Sequence, residues 1–283
     1  MKKLHNIVCA LALLSLGACS EFLEPKSQTE YTPTRVDQLN EVLLGVAYPR
    51  PEGDAAGINF MLDALSDDVS GAGFNKNALE VTGFYGGATI QAIKVAYTWQ
   101  PEYSRQIQAI SGTTGYSDTY AAIYNFLVGA NAVIDRVGDV TGTADEKNYL
   151  LAQALTLRGF YYLQLVNIYG EPYTVNPDGM GVPLKITSDV EERSMARNTV
   201  AEVYGQITTD LKEAVRLFKT LPVEQQSRKD YRVNLPTAQL LLARAYLYMG
   251  RWAEAVEQAD ELIARPGFSL MNLQDLVSAG YTN

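Results

Sequence analysis

The sequence has little of the chemistry on which many enzymes depend. Its 283 residues include two cysteines, Cys9 and Cys19, and a single histidine, His5. Cleavage before Cys19 would leave a chain without histidine, whose only thiol belongs to its first residue. With that residue lipidated, an internal disulfide, a Cys/His zinc site and nucleophiles that need an imidazole base are excluded. Ser–Lys pairs and carboxylate pairs are not excluded, because neither needs histidine.

Long hydrophobic runs and excess positive charge are also absent beyond the N-terminus. No later stretch approaches the roughly 18 unbroken apolar residues of a membrane span, so the sequence predicts no transmembrane helix. The net charge is −9, with 32 acidic and 23 basic residues. An acidic surface disfavours nucleic acid as a partner, because phosphate binding needs clustered Lys and Arg. The hydrophobic content of 47% is sufficient for a buried core.

The N-terminus has the pattern of a secretory leader. Lys2 and Lys3 precede an apolar run over residues 7–16, which is too short to span a bilayer. The following segment, Leu16-Gly17-Ala18-Cys19, resembles a bacterial lipoprotein signal, in which cleavage precedes a cysteine that carries lipid. We therefore predict a signal peptide over residues 1–18 and lipidation of Cys19, which tethers the protein to a membrane.

The remainder divides into an extended tether over residues 19–34 and an all-α domain over residues 35–283. Capping-box spacing occurs twice, at Thr143 with Glu146 and at Thr199 with Glu202. Hydrophobic periodicity and breakers predict helices at about 34–47, 59–65, 118–137, 143–169, 199–221, 236–249 and 252–264.

Several of these helices have apolar faces that predict what each one buries. The second half of the helix over 143–169 is apolar nearly all round, so we expect it to be central. Arg158 lies on this helix and is predicted to pair with a carboxylate, because a buried unpaired charge is costly. Tyr161 and Tyr162 are predicted core residues whose hydroxyls are hydrogen-bonded. The first helix is expected to bury Val36, Leu39, Val42, Leu43 and Val46.

The last two helices match a tetratricopeptide repeat in part. The match covers Leu242, Ala243, Tyr246, Gly250, Trp252 and Ala255, whereas Leu262 and Pro266 depart from it. One such hairpin cannot bury its own face, so it is expected to pack on the earlier long helices. Trp252 and Trp99 are predicted to be core residues.

Residues 66–117 are rich in glycine and aromatics and, apart from a short helical piece near residues 90–97, predict a long irregular loop, which is often functional. Flat aromatic rings and planar amides are what sugar recognition needs, for stacking and for binding hydroxyls. The alternative is that the aromatics anchor the loop to the helices. Asp67 and Asp68 are interpreted as turn residues rather than a cation site. The candidate ligand-binding residues are Phe74, Asn75, Asn77, Phe84, Tyr85 and Tyr103.

Together these features resemble the SusD/RagB family of nutrient-binding outer-membrane lipoproteins. The carrying segments follow in order along the chain: 19–24, 120–134, 154–172, 197–211 and 242–252. The resemblance implies tetratricopeptide-like hairpins with irregular loops. It also implies glycan capture at the cell surface and delivery to a SusC-like TonB-dependent transporter in the outer membrane. It covers only the family's N-terminal half, so we expect the chain to be a fragment or a truncated product.

Three other functions remain open on the sequence. A related protein of the same architecture would capture peptide instead of oligosaccharide. A tetratricopeptide scaffold would bind a segment of a partner protein in its groove, although it does not need aromatic, glycine-rich loops. A glycoside hydrolase needs only two carboxylates, but such enzymes usually have strand-rich scaffolds. We therefore expect a binding protein rather than an enzyme, without a metal site or cofactor.

Overall fold

The computed structural model describes residues 32–49, 95, 98–102, 105, 106, 109, 119–190, 194–228, 230–267 and 274. The chain divides into two units, residues 1–33 and 34–283, and only residues 32 and 33 of the first are described. The predicted leader, most of the tether and the short helix at 59–65 lie outside the described residues. All regular structure in the described ranges is helical, which confirms the all-α prediction.

Seven α-helices have described bounds, and single helical residues are also described at 95, 105, 106, 109 and 274. The helix α1 covers Val36–Val42 and continues as a π-helical turn over Leu43–Ala47. The remaining helices are α2, Thr119–Arg136; α3, Ala144–Tyr169; α4, Val200–Lys219; α5, Val223–Gln226; α6, Leu235–Tyr248; and α7, Trp252–Ile263. The four-residue helix α5 was not predicted.

The central helix is α3, as its apolar surface predicted. It begins at the expected capping box, in which the Glu146 N–H donates to the Thr143 hydroxyl at 3.2 Å and the Thr143 N–H donates to the Glu146 carboxylate at 2.8 Å. Nearly every side chain from Leu150 to Val166 is buried. The helices α2, α4 and α6 pack against it. Each large side chain fully buried there contributes roughly 1.5–3 kcal/mol.

Helices α3 and α4 approach each other closely at Gly159. A Cβ added to Gly159 would lie 2.8 Å from the Leu211 Cγ, so a larger side chain would force movement. The predicted apolar face of α4 is buried, and its capping box between Thr199 and Glu202 is formed as expected. Glycine at position 159 thus allows the two longest helices to pack closely.

The end of the first helix differs from the prediction. Val46 was expected on the buried face, but its side chain is 44% exposed, whereas Ala47 and Tyr48 are buried. The reason is the π-helical turn, in which the Tyr48 N–H donates to the Leu43 carbonyl five residues earlier, at 3.2 Å. The wider turn shifts the buried stripe one residue along the chain.

The last hairpin packs on α4 through α6, as the repeat pattern predicted. Trp252, however, was predicted to be a core residue and is 62% exposed. The buried ring beside the turn belongs to Tyr246, with the Arg251 guanidinium stacked at 4.7 Å from its centroid. The prediction for Trp99 was also wrong, because that side chain is 68% exposed.

Candidate functional site

The predicted ligand-binding residues cannot be located in the described part of the chain. Cys19 and the six candidates, Phe74, Asn75, Asn77, Phe84, Tyr85 and Tyr103, all lie outside the described residues. The sugar-binding role of residues 66–117 therefore stays a prediction. The expectation that this stretch is irregular was wrong at Arg105, Gln106 and Ala109, which are helical. The described residues do contain the other long loop, which joins α3 to α4 over residues 170–199; residues 191–193 of this α3–α4 loop are not described.

The α3–α4 loop rests on a buried ion pair between α3 and α4. The Arg158 Nε and Nη2 groups donate to the two Asp210 oxygens, each at 2.8 Å, and the side chains are only 7% and 2% exposed. Gln206 donates a third hydrogen bond to Asp210, also at 2.8 Å. Burial raises the pKa of Asp210, and the hydrogen bonds from Arg158 and Gln206 oppose that shift. The predicted pairing of Arg158 with a carboxylate is confirmed.

The same arginine and a buried asparagine of α2 hold the loop backbone. The third guanidinium nitrogen of Arg158, Nη1, donates to the Asn131 side-chain oxygen at 3.0 Å and to the Ile186 carbonyl at 2.9 Å. The Asn131 amide donates to the carbonyls of Lys185, at 2.8 Å, and Thr187, at 3.2 Å. Three successive loop carbonyls therefore accept hydrogen bonds from side chains of the helices.

Two tyrosine hydroxyls add to this support. Tyr124 on α2 donates to the Pro183 carbonyl at 2.6 Å, and Tyr162 on α3 donates to the Lys185 carbonyl at 2.8 Å. Burial is the largest cause of the raised pKa of both phenols, which stay protonated and able to donate. Tyr161 donates instead to the Ala47 carbonyl. The prediction that Tyr161 and Tyr162 are core residues with satisfied hydroxyls is confirmed.

Hydrogen bonds also fix the two ends of the α3–α4 loop to each other and fix Ser188 to α2. Residues 181–182 and 198 pair through backbone hydrogen bonds of 2.8 and 3.2 Å. The Arg197 guanidinium donates to the carbonyls of Tyr169, Met180 and Gly181 at 2.6–2.9 Å. On the other side, the Asp135 carboxylate accepts from the N–H and hydroxyl of Ser188 at 2.7 and 2.8 Å. The described residues of the loop are thus held by hydrogen bonds at several points, although none of them is helical.

The polar groups beneath the α3–α4 loop position it and leave its outer side exposed. The polar side chains beneath the loop form hydrogen bonds with each other and with the loop carbonyls. Arg158 and Asp210 therefore serve to position the loop. The outward side includes exposed apolar side chains, at Val175, Met180, Ile186 and Val190. Among the described residues there is no group of three His, Cys, Asp or Glu side chains able to hold a metal ion. None of the helices described is long and apolar enough to cross a membrane.

Sequence reasoning found Arg158 but not its partners. Asp210 and Asn131 both lie on faces that are otherwise apolar, between Ile207 and Leu211 on α4 and between Ala130 and Val133 on α2. A polar residue at such a position signals a buried polar contact. That signal could have identified both residues as candidates, but it could not have paired them.

Comparison with known proteins identifies the family. The family model for starch-binding proteins that associate with the outer membrane, of the SusD-like type, matches residues 21–247. The chain therefore belongs to the SusD-like family. No curated protein matches it.

Solved structures share this fold. A SusD-like carbohydrate-binding protein from Bacteroides vulgatus is 22% identical with a TM-score of 0.62, and the match covers 85% of this chain and 47% of that one. A SusD superfamily protein from Bacteroides thetaiotaomicron is 26% identical with a TM-score of 0.50, over 56% and 34% of the two chains. The surface glycan-binding protein A of B. thetaiotaomicron, solved with laminarihexaose, is 19% identical with a TM-score of 0.50, over 85% and 45%. The chain thus spans less than half the length of each of these three structures.

Proposed function

We propose that this protein is a cell-surface lipoprotein that binds oligosaccharide and delivers it to a TonB-dependent outer-membrane transporter. The observation that carries the proposal is the match of residues 21–247 to the SusD-like family. That family is described as starch-binding and associating with the outer membrane. The pattern ending at Cys19 supports a lipid anchor. The protein needs no catalytic group for this function, and the rigid helical support of the α3–α4 loop suits a binding surface.

The ligand site in this proposal lies in the loop over residues 66–117. Phe74, Phe84, Tyr85 and Tyr103 supply rings for stacking on sugar C–H faces, while Asn75 and Asn77 supply amides for hydroxyls. Binding by a few such contacts is modest for each sugar unit. Closure against the transporter would then strengthen it by adding contacts and excluding water.

The ligand class is tested by titrating the purified full-length protein, in detergent, against panels of oligosaccharides and peptides. We expect heat of binding with at least one oligosaccharide and none with peptides. Binding to peptides alone would favour the peptide-capturing alternative, and binding to neither panel would contradict both. Release of reducing sugar from a polysaccharide would show a hydrolase instead.

The site and the location are tested separately. Deleting residues 71–87 should abolish ligand binding, whereas a scaffold protein would keep its partner after this deletion.

Mass spectrometry of the mature protein should show Cys19 as an acylated N-terminal residue. An intact leader or a free thiol at that residue would contradict the lipid anchor. Co-purification with a transporter encoded by the neighbouring gene would support the delivery step. If the two proteins do not co-purify from intact outer membranes, that step is contradicted.

A further inference from the structure

An exposed tyrosine marks the turn between α5 and α6. Tyr231 is 76% exposed, so its ring contributes little to the hydrophobic core. Its centroid lies 6.0 Å from that of Tyr48, with the rings at 81° to each other. An edge-to-face contact of this kind orients a ring while leaving most of it open to solvent.

The turn that presents Tyr231 is anchored firmly to the core. Tyr48 is only 7% exposed, and its hydroxyl donates to the Gln153 side-chain oxygen of α3 at 2.9 Å. The same hydroxyl accepts from the Val233 N–H at 3.1 Å, two residues after Tyr231. One buried phenol therefore links the central helix to the turn. The turn is therefore tied to the core two residues away from the exposed ring.

Charged groups flank the ring on both sides in sequence. The Arg232 side chain donates to the Asp230 carboxylate at 2.6 and 3.0 Å, and its backbone N–H donates to the other oxygen at 3.0 Å. The hydrogen bonds from Arg232 lower the pKa of Asp230, which is therefore ionised at neutral pH. The Arg228 side chain is 46% exposed, and its Nε lies 3.7 Å from Asp230. Arg228 and Arg232 lie over the Tyr149 ring, with guanidinium carbons 5.7 and 6.0 Å from its centroid.

We propose that Tyr231, Asp230 and Arg228 form a contact site for one pyranose unit of a glycan. The exposed ring would stack on the sugar's C–H face, and the carboxylate and guanidinium would bind hydroxyls at its edge. The inference rests on the proposed glycan-binding function and adds a second contact to it, outside the loop over residues 66–117. The anchoring through Tyr48 keeps the entropic cost of ordering this site low, since the turn is already fixed.

The test uses full-length protein on a glycan array that includes maltohexaose and laminarihexaose, followed by calorimetry with the best-bound oligosaccharide. The variant Tyr231→Ala should weaken affinity about three- to tenfold, the range expected for one stacking contact. Tyr231→Phe keeps the ring and should stay within about twofold of the wild type. Tyr231→Leu, which is apolar but not flat, should behave like the alanine variant. Tyr248→Ala, at an exposed tyrosine of α6, is the matched control and should change nothing.

The outcomes separate the two proposals. If the wild type binds a glycan and Tyr231→Ala binds it equally well, the Tyr231 site is refuted and the proposed function stands. If the wild type binds no glycan on the array, the proposed function fails and this site with it. Loss of transporter co-purification by Tyr231→Ala at unchanged glycan affinity would show a protein contact and would also refute the site. Circular dichroism of each variant verifies that the helical fold is intact.

Discussion

The guanidinium of Arg158 on α3 and the carboxylate of Asp210 on α4 are joined by two hydrogen bonds of 2.8 Å inside the protein. The pair connects helices that are 52 residues apart at these positions. Through Asn131 and the Ile186 carbonyl, it also connects them to the α3–α4 loop. One buried charge pair therefore sets both the packing of the central helices and the position of a loop.

Breaking this pair should strongly destabilise the fold. Arg158→Ala leaves the Asp210 carboxylate buried without its main partner, so we expect the free energy of unfolding to fall by about 3–5 kcal/mol. Urea denaturation followed by circular dichroism measures the change. The double variant Arg158→Met with Asp210→Leu should recover much of the loss, because no buried charge remains. Arg216→Ala, which breaks an exposed pair with Glu213, is the control and should have little effect. A similar loss for both arginine variants would contradict the argument.

The loop should loosen when Asn131 is removed. Asn131→Ala deletes two hydrogen bonds to the loop carbonyls and one from Arg158. Because each buried group left unsatisfied costs about 1–3 kcal/mol, backbone amides of residues 184–188 should exchange faster with deuterium. Asn125→Ala, at an exposed position on the same helix, is the matched control. Unchanged exchange in the loop of Asn131→Ala would show that other contacts hold it.

Two helical glycines should respond oppositely to alanine. Gly205 on α4 has open space where a Cβ would be, so Gly205→Ala should stabilise by up to about 1 kcal/mol. Gly159→Ala gains the same helix propensity but places its Cβ against Leu211, at a cost of about 1–3 kcal/mol. We therefore expect a higher Tm for the first variant and an unchanged or lower Tm for the second. A second substitution, Leu211→Ala, should cost less in the Gly159→Ala background than in the wild type. Strict additivity would contradict close contact.

The two capping boxes should make stability sensitive to acid. Backbone N–H groups of Thr143 and Thr199 are the main cause of the lowered pKa of Glu146 and Glu202 in the folded protein. Their stabilising effect is therefore complete above the ordinary value of 4.5 and is lost as the pH falls through the lower folded pKa. Replacing both residues by glutamine should flatten the Tm profile below pH 4.5. A profile that superimposes on that of the wild type would contradict this role.

Tryptophan fluorescence should report unfolding poorly. The chain has two tryptophans, Trp99 and Trp252, and both side chains are more than 60% exposed. Because water already surrounds much of both rings, the emission maximum should shift little when urea unfolds the protein. Circular dichroism on the same samples should show a full transition. A large red shift on unfolding would mean that at least one indole is buried, as the repeat pattern had suggested for Trp252.

The sequence was a good guide where the deciding contacts are local. The capping boxes lie within three residues, and both are present at the predicted helix starts. The apolar face of α4 and the burial of α3 follow from periodicity in the same way. The exposed Trp252 shows the limit, because its position matched a repeat motif while Tyr246 supplies the buried ring. The proposed sugar-binding residues in the loop over 66–117 remain a prediction from composition.

By itself, the sequence determined the helical class, the helix starts and the need of Arg158 for a buried partner, because these depend on neighbouring residues and on the cost of an unpaired charge. Only the tertiary structure decided that the partner is Asp210, and that Asn131 joins it. It also decided that a π-helical turn exposes Val46, and that the exposed Tyr231 ring contacts the buried Tyr48 ring. These outcomes depend on how distant segments pack, and no local pattern specifies which of many compatible neighbours will meet.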